Sequence, residues 1–269
     1  MIDYQEVKYT LKNLMYKSHP GKVLVERIET NKHGTTYAHK HWVLPDQVNF
    51  KTDKILSGNT QELADEKYSY EIEKEYSPWL GSLPKPRIGD LNSYTSSRYM
   101  YINGTMRNTL TEELSETELK RVNSEIAGIT KALSTSEVKK PLTVYRRMEK
   151  EWLPKFTELF KSGKLFEDKG FMSTTIIRGS FKGNDENGVP LNHLNEKNGY
   201  VEMIIHIPKC KGMGGYVRPI SDYKSEFEFL INCNSLFKIT NIEQSKDNEK
   251  VHFIHMELVG RSPLDIEKR

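Results

Sequence analysis

Two glutamates, Glu226 and Glu228, lie two positions apart in the segment S-E-F-E-F-L. The segment is rich in strand-forming residues, so we predict a strand with both carboxylates on one face and Phe227 and Phe229 on the other. Two neighbouring carboxylates are costly to bury and repel each other, which indicates a site rather than a core position. The alternative is an edge strand whose polar face meets water.

Two further segments with polar strand ends precede this pair. L-T-V-Y-R-R, residues 142–147, is predicted to be a buried strand that ends in two arginines. G-F-M-S-T-T, residues 170–175, is predicted to be a second strand that leads into hydroxyl side chains. The order of Arg, a Ser/Thr triplet and Glu-x-Glu resembles the R-S-E class of mono-ADP-ribosyltransferases. That resemblance implies cleavage of NAD and transfer of its ADP-ribose.

The resemblance implies a role for each part of the pattern. Glu228 is the catalytic carboxylate, which stabilises the positive charge that builds on the ribose as the bond to nicotinamide breaks. Ser173 braces Glu228, and Arg146 binds the phosphate oxygens of NAD with its guanidinium fork. Glu226 holds and deprotonates the acceptor, since family members that modify arginine carry Glu at this position and those that modify asparagine carry Gln. Tyr223 falls in the loop that recognises the protein target, or packs on its own loop as a turn tyrosine.

Further NAD contacts are implied by the same resemblance. Y-T-S-S-R-Y-M-Y-I-N-G-T-M-R, residues 94–107, is similar to a helical segment of the binary actin-modifying toxins, with Met106 in the usual place of a leucine. The family's third serine of the triplet is a threonine here. The remaining predicted NAD-binding residues are Tyr94, Asn103, Arg107, Thr174, Thr175 and Phe181. For the triplet, the alternative is a strand that is simply rich in threonine.

The resemblance covers roughly residues 88–262 and implies an α+β fold, in which N-terminal helices pack on two roughly perpendicular, mainly antiparallel β-sheets. The chain is accordingly divided into an accessory segment, residues 1–87, and a catalytic domain, residues 88–269. In the accessory segment, two alternating runs around N-K-H-G predict a β-hairpin at residues 22–44. Helical spacing then predicts a helix at residues 61–76.

The order of elements after this segment also indicates an α+β protein. Residues 77–90 carry three prolines and are the best candidate boundary. Residues 91–136 are predicted to be mainly helical, with a capped helix start at Ser115. The remainder is strand-rich, and its clearest strands are residues 200–207 and 251–259.

Composition restricts the class of protein. The 269 residues are 36% hydrophobic and 29% charged, and the net charge is +3, so neither disorder, nor a membrane span, nor nucleic-acid binding is indicated. The segment M-I-D-Y-Q-E-V-K-Y is no signal peptide, which predicts synthesis for the cytosol or export by a route that reads no cleavable signal, as for an effector delivered into another cell. Cys210 and Cys233 are predicted to be buried free thiols. His39 and His41 share a strand face but lack a third ligand in sequence, so no metal site is predicted.

The resemblance to the R-S-E class, with these observations, predicts an NAD-dependent protein-arginine mono-ADP-ribosyltransferase that acts as a bacterial or phage effector, with a target protein and an immunity or delivery partner. Two alternatives stay open. The same site could hydrolyse NAD or modify another acceptor, including nucleic acid. The chain could also be an interaction module that kept the fold without activity.

Overall fold

The computed structural model describes residues 19, 21–30, 32, 34–57, 60–110, 113–178, 180 and 199–263. The chain forms two compact units, Met1–Ile72 and Glu73–Arg269. The predicted division between residues 87 and 88 remains a prediction.

A three-stranded sheet is the main element of the first unit. Strands β1 (Val23–Thr30) and β2 (Thr36–Val43) form the predicted antiparallel hairpin, and β3 (Lys54–Ser57) pairs with the other side of β1. One end of the sheet is apolar and forms a small core, composed of Val23, Val25, Val43 and Val48 with Phe50 and Leu63 packed against it. The other end of the hairpin carries polar side chains, among them the histidines of β2.

The proline-bearing segment at residues 77–90 is helical. Helix α1 (Thr60–Ser82) continues through Pro78, and α2 (Lys85–Ser93) begins directly afterwards. Pro84 is the N-cap of α2 and Pro86 lies in its first turn, where a missing backbone N–H costs no helical hydrogen bond. Two of the three prolines thus lie at the start of a helix, and the boundary predicted in this segment stays a prediction.

Three further helices belong to the second unit. A π-helical turn, Tyr94–Arg98, connects α2 to α3 (Tyr99–Arg107), and α4 (Glu116–Ser134) follows. The Ser115 hydroxyl accepts a hydrogen bond of 3.2 Å from the backbone N–H of Glu118, which confirms the predicted cap. Helix α5 (Leu153–Ser162) comes later, between strands.

Five of the ten strands described in the second unit were predicted from the sequence. The ten strands are β4 (Glu137–Val138), β5 (Leu142–Met148), β6 (Phe166–Asp168), β7 (Met172–Thr175), β8 (Tyr200–Ile207), β9 (Cys210–Lys211), β10 (Gly214–Tyr216), β11 (Glu228–Ile231), β12 (Ser235–Gln244) and β13 (Val251–Arg261). Strands β4 and β9 form a separate pair. The other eight are hydrogen-bonded in the order β10-β11-β7-β5-β8-β13-β12-β6.

The eight-stranded series is mainly antiparallel, with β8 and β13 as its parallel pair. Strands β5 and β7 meet at one residue pair, Tyr145 and Thr175, so the series divides there into two parts of three and five strands. The architecture confirms the predicted α+β fold with N-terminal helices and mixed, mainly antiparallel sheets.

A cluster of buried side chains joins the helices to the strands of the second unit. It contains Leu91, Tyr94, Ile102, Val122, Ile126, Ile129, Ala132, Leu133, Phe171, Val217, Leu230 and Cys233. Both cysteines are free; Cys233 is buried as predicted, whereas Cys210 is only half-buried. None of the described helices is long and apolar enough to cross a membrane.

Candidate active site

A cleft of about 730 Å³ in the second unit brings most of the predicted site residues together. This volume lies in the range of small-molecule sites. Among the residues that line the cleft are Tyr94, Asn103, Arg107, Arg146, Ser173, Tyr223, Glu226 and Glu228. They come from the π-helical turn and α3, from strands β5, β7 and β11, and from the loop before β11.

Glu228 is the first residue of β11, opposite Thr175 of β7. The residue is only 2% exposed, and its Oε2 has no hydrogen-bond partner among the described residues. Burial raises the pKa of the carboxyl to about 7; the Ser173 hydroxyl and Arg146 act to lower this pKa, and the charge of Glu226 acts to raise it. A buried carboxylate oxygen without a partner indicates a place where a ligand supplies the missing contact.

Glu226 reaches the same cleft from a different backbone setting than predicted. It ends a 3-10 turn, Lys224–Glu226, and Phe227 then adopts the left-handed conformation with φ of 49°. The predicted strand therefore begins only at Glu228, so the two glutamates are not alternate residues of one strand. They converge because the chain turns between them. Burial raises the pKa of Glu226 as well.

The left-handed conformation of Phe227 is strained for a bulky residue, and neighbouring groups hold it in place. The Phe227 carbonyl accepts a 3.1 Å hydrogen bond from the N–H of Ile176, and the ring packs under the Arg218 guanidinium, 4.4 Å from its centroid. Arg218 also donates from Nε to the carbonyl of Lys224 at 2.6 Å and pairs with Glu73 at 3.3 Å. Arg218 thus fixes the loop that carries Glu226.

Arg146 lies where β5 approaches β7. Its Nη1 donates a 2.7 Å hydrogen bond to the carbonyl of Ser173, so the guanidinium is anchored to the strand that carries the hydroxyl triplet. Arg147 points its side chain elsewhere, since it pairs with Glu202 at 3.4 Å and stacks over Tyr200 at 4.3 Å. The structure therefore places one of the two arginines at the cleft, as the alternation of side chains along a strand requires.

The helical side of the cleft is tied to the turn before β7. The amide of Asn103 donates to the Tyr94 hydroxyl and accepts from the N–H of Phe171, both at 2.9 Å. Arg107 forms a two-pronged ion pair with Asp168, in which both hydrogen bonds measure 2.8 Å. These contacts use Nε and Nη2 of Arg107, and among the described residues they leave Nη1 available to a ligand.

Gly170 makes this close approach of helix and turn feasible. A Cβ atom at this position would lie 2.7 Å from Oδ1 of Asn103 and 2.8 Å from Nε of Arg107, which is closer than van der Waals contact. The glycine of G-F-M-S-T-T is thus required by the packing of α3.

The remaining predicted NAD-binding residues are Thr174, Thr175 and Phe181. The Thr174 hydroxyl donates to the carbonyl of Phe229 at 2.6 Å, and the Thr175 hydroxyl accepts from the N–H of Ile177 at 3.1 Å. Neither side chain is among those that line the cleft. Phe181 lies outside the described residues. The NAD contacts of all three stay predictions.

The sequence pattern of the ADP-ribosyltransferase exoenzyme family matches residues 72–258. The chain belongs to this family. It is therefore an ADP-ribosyltransferase, an enzyme class that uses NAD. A comparison with curated proteins finds no significant match.

Several solved structures share the fold of this ADP-ribosyltransferase. Plx2a, an ADP-ribosyltransferase toxin from Paenibacillus larvae, is 22% identical with a TM-score of 0.56, and the alignment covers 73% of this chain and 97% of Plx2a. BECa, an ADP-ribosylating toxin of a binary enterotoxin of C. perfringens, is 24% identical with a TM-score of 0.56, over 87% of this chain and 55% of BECa. C3stau2 from S. aureus is 13% identical with a TM-score of 0.52, and the alignment covers 74% of this chain and 96% of C3stau2.

Replacing Arg218 by Ala is expected to destabilise the ADP-ribosyltransferase by about 2–4 kcal/mol, somewhat less than the roughly 3–5 kcal/mol of a fully buried ion pair, because the side chain of Glu73 is 30% exposed. The side chain of Arg218 is only 8% exposed. Denaturant unfolding would measure the loss. The matched control is Arg121→Ala, since Arg121 is 60% exposed and pairs with Glu125 on the helix surface. If both variants lose the same free energy of unfolding, Arg218 does not hold the loop that carries Glu226 in place.

The raised pKa of Glu228 predicts how stability depends on pH. Between its ordinary value of 4.5 and about 7, folded Glu228 keeps a proton that the unfolded chain has lost. The free energy of unfolding contributed by Glu228 therefore falls as pH rises through this window, by up to about 3 kcal/mol. The measurement is denaturant unfolding at pH 4 and pH 8. The difference in stability between Glu228→Gln and the wild type should grow toward pH 8, and a constant difference would contradict the prediction.

Three residues of structural importance were missed at the level of sequence. Arg218 pairs with Glu73, 145 positions away, and Asp168 pairs with Arg107, 61 positions away. No local sequence pattern indicates such distant pairs. In the first unit, Glu29 lies near His39 and His41 and supplies the third group that the sequence lacked. The pairing of β1 with β2 could have indicated it.

Proposed function

We infer that this ADP-ribosyltransferase transfers ADP-ribose from NAD to an arginine side chain of a target protein and releases nicotinamide. The observation that carries the proposal is the convergence of Glu228, Glu226 and Arg146 on one cleft. The two carboxylates differ in burial, one being enclosed and the other half-buried, which suits two different tasks.

The groups of the cleft fit NAD. Arg146 and Arg107 supply guanidinium groups for the phosphate oxygens, and both are oriented by bonds to protein oxygens. Tyr94 and Asn103 hold the helical wall in place through their own hydrogen bond. BECa was solved with NADH and C3stau2 with NAD, so this fold accepts such ligands in those proteins.

Glu228 has the properties needed to assist cleavage of the bond between nicotinamide and ribose. As this bond breaks, its electron pair leaves with nicotinamide and the ribose becomes cationic. A carboxylate already in place beside the sugar stabilises that charge without solvent reorganisation. The positively charged nicotinamide ring of NAD, bound next to the carboxyl, would lower the pKa of Glu228 and so favour its ionised form.

In this proposal Glu226 serves the acceptor. A target arginine enters as a guanidinium ion, and a nitrogen of this group must lose a proton as it bonds to the anomeric carbon. Glu226 lines the cleft from the loop that also carries Tyr223, and Tyr223 is 44% exposed. The exposed tyrosine offers a contact surface for a protein target, which supports the proposed substrate-recognition role of Tyr223.

Plx2a and BECa are toxins, and we extend that description to this chain as part of the proposal. Its target would then be a protein of another cell, reached with the help of a delivery partner.

The test is incubation of the full chain with NAD labelled in its adenosine part, with and without agmatine, an arginine analogue. Chromatography measures free nicotinamide and labelled agmatine. We expect labelled agmatine and faster release of nicotinamide when agmatine is present. If nicotinamide is released at the same rate with and without agmatine, hydrolysis or transfer to another acceptor is favoured. If the chain neither binds nor cleaves NAD, it is an inactive module.

A further inference from the structure

Three metal-binding side chains meet on one face of the β1–β2 hairpin in the first unit. His39 and His41 alternate along β2 and so share a face. The register pairs Tyr37 with Glu29, which places Glu29 of β1 on the same face. One ligand atom from each of Glu29, His39 and His41 lies within 4.8 Å of the others.

The contact between Glu29 and His41 has the geometry of two ligands rather than of a hydrogen bond. Nε2 of His41 lies 3.0 Å from Oε1 of Glu29. Nevertheless, this buried Nε2 makes no hydrogen bond of acceptable angle to any described residue. Two donor atoms that lie side by side, without an N–H directed from one to the other, can share a cation between them.

The distances require only a small adjustment to accept a metal ion. Ligand atoms around a tetrahedral zinc ion are about 3.3 Å apart when the bonds are about 2.0 Å long. The His41–Glu29 pair already satisfies this spacing, and the ring centroids of His39 and His41 are 5.8 Å apart. His39 is exposed, so its ring can rotate toward the other two groups without displacing core residues.

The charges around the three groups allow a divalent cation. Arg27 faces His39 across the strand pair, and its guanidinium is neutralised by Asp53 through hydrogen bonds of 3.0 and 2.9 Å. With both histidines neutral, the charges of Arg27, Asp53 and Glu29 add up to one negative charge, which is that of Glu29.

We propose that Glu29, His39 and His41 form a binding site for a divalent transition metal, with zinc as the metal that this donor set fits best. Two imidazoles and one carboxylate leave a fourth position for water or an external ligand. The site lies within the first unit and is independent of the proposed NAD chemistry.

The test uses the full chain without an affinity tag, and zinc ions alone as the probe. Isothermal titration of zinc into the metal-free protein should give one site, and cobalt should give the visible absorption of a four-coordinate ion. His39→Ala and Glu29→Gln should each weaken zinc binding at least about tenfold, as removal of one of three ligands implies. The matched control is His255→Ala, since His255 also lies 3.0 Å from a glutamate, Glu243, on an exposed strand.

Each outcome decides the proposal. Loss of affinity in the two hairpin variants, with the control unchanged, supports the site, as does a zinc-dependent rise of the melting temperature that His39→Ala abolishes. Zinc affinity unchanged in His39→Ala, or reduced equally in His255→Ala, would overturn it. The metal-free melting temperature of each variant checks that the fold is intact.

Discussion

Glu228→Gln is expected to lower both ADP-ribosyl transfer and NAD hydrolysis by about 10²- to 10⁴-fold, the range for loss of one electrostatic or proton-transfer group. The substitution keeps the shape of the side chain and removes its charge. Glu228 is buried at the start of β11, with one oxygen unpartnered among the described residues, so water cannot easily replace the lost carboxylate. Release of nicotinamide from labelled NAD, with and without agmatine, measures both reactions.

The control for this variant is its affinity for NAD, measured by titration. Since Arg146 and Arg107 are unchanged, binding should persist while catalysis is lost. Activity within tenfold of the wild type would mean that another acid stabilises the ribosyl cation. A variant that binds no NAD would point instead to a collapsed cleft.

Glu226→Gln is expected to lower transfer to arginine strongly and to retain slow cleavage of NAD. The acceptor guanidinium loses the group that takes its proton, whereas water can still attack the cation beside Glu228. The expected loss of transfer is about 10²- to 10⁴-fold, the usual contribution of a general base. The measurement compares labelled agmatine with total nicotinamide released.

The two Glu→Gln variants serve as controls for each other, because the same substitution is made two positions apart. Separable effects support two roles within one cleft. Should Glu226→Gln stop hydrolysis and transfer equally, with NAD still bound, Glu226 would belong to the cleavage machinery. The proposal of an arginine acceptor would then lose its main support.

The zinc site and the NAD cleft can be tested independently. His39→Ala alters neither carboxylate of the cleft, so its transferase activity should equal that of the wild type even if zinc binding is lost. Failure of the metal proposal therefore leaves the proposed transferase function unaffected, and the converse also holds.

The sequence by itself determined the fold class, the hairpin, the capped helix at Ser115 and the principal strands. These features follow from local patterns: alternation along strands, helical spacing and capping residues. The order of Arg146, the triplet at Ser173 and the two glutamates also indicated which residues gather at one cleft. That indication came from the resemblance to the R-S-E class, and Arg146, Ser173 and Glu228 each lie on a strand.

Tertiary structure alone decided how these residues meet. The left-handed turn at Phe227 separates Glu226 from the strand of Glu228, and no local preference favours that conformation for phenylalanine. It persists because Arg218, nine positions earlier, stacks on the ring, and because the Phe227 carbonyl is bound by Ile176 of another segment. Contacts between distant parts of the chain supply the free energy that a strained backbone needs, so only the folded protein could place the second glutamate.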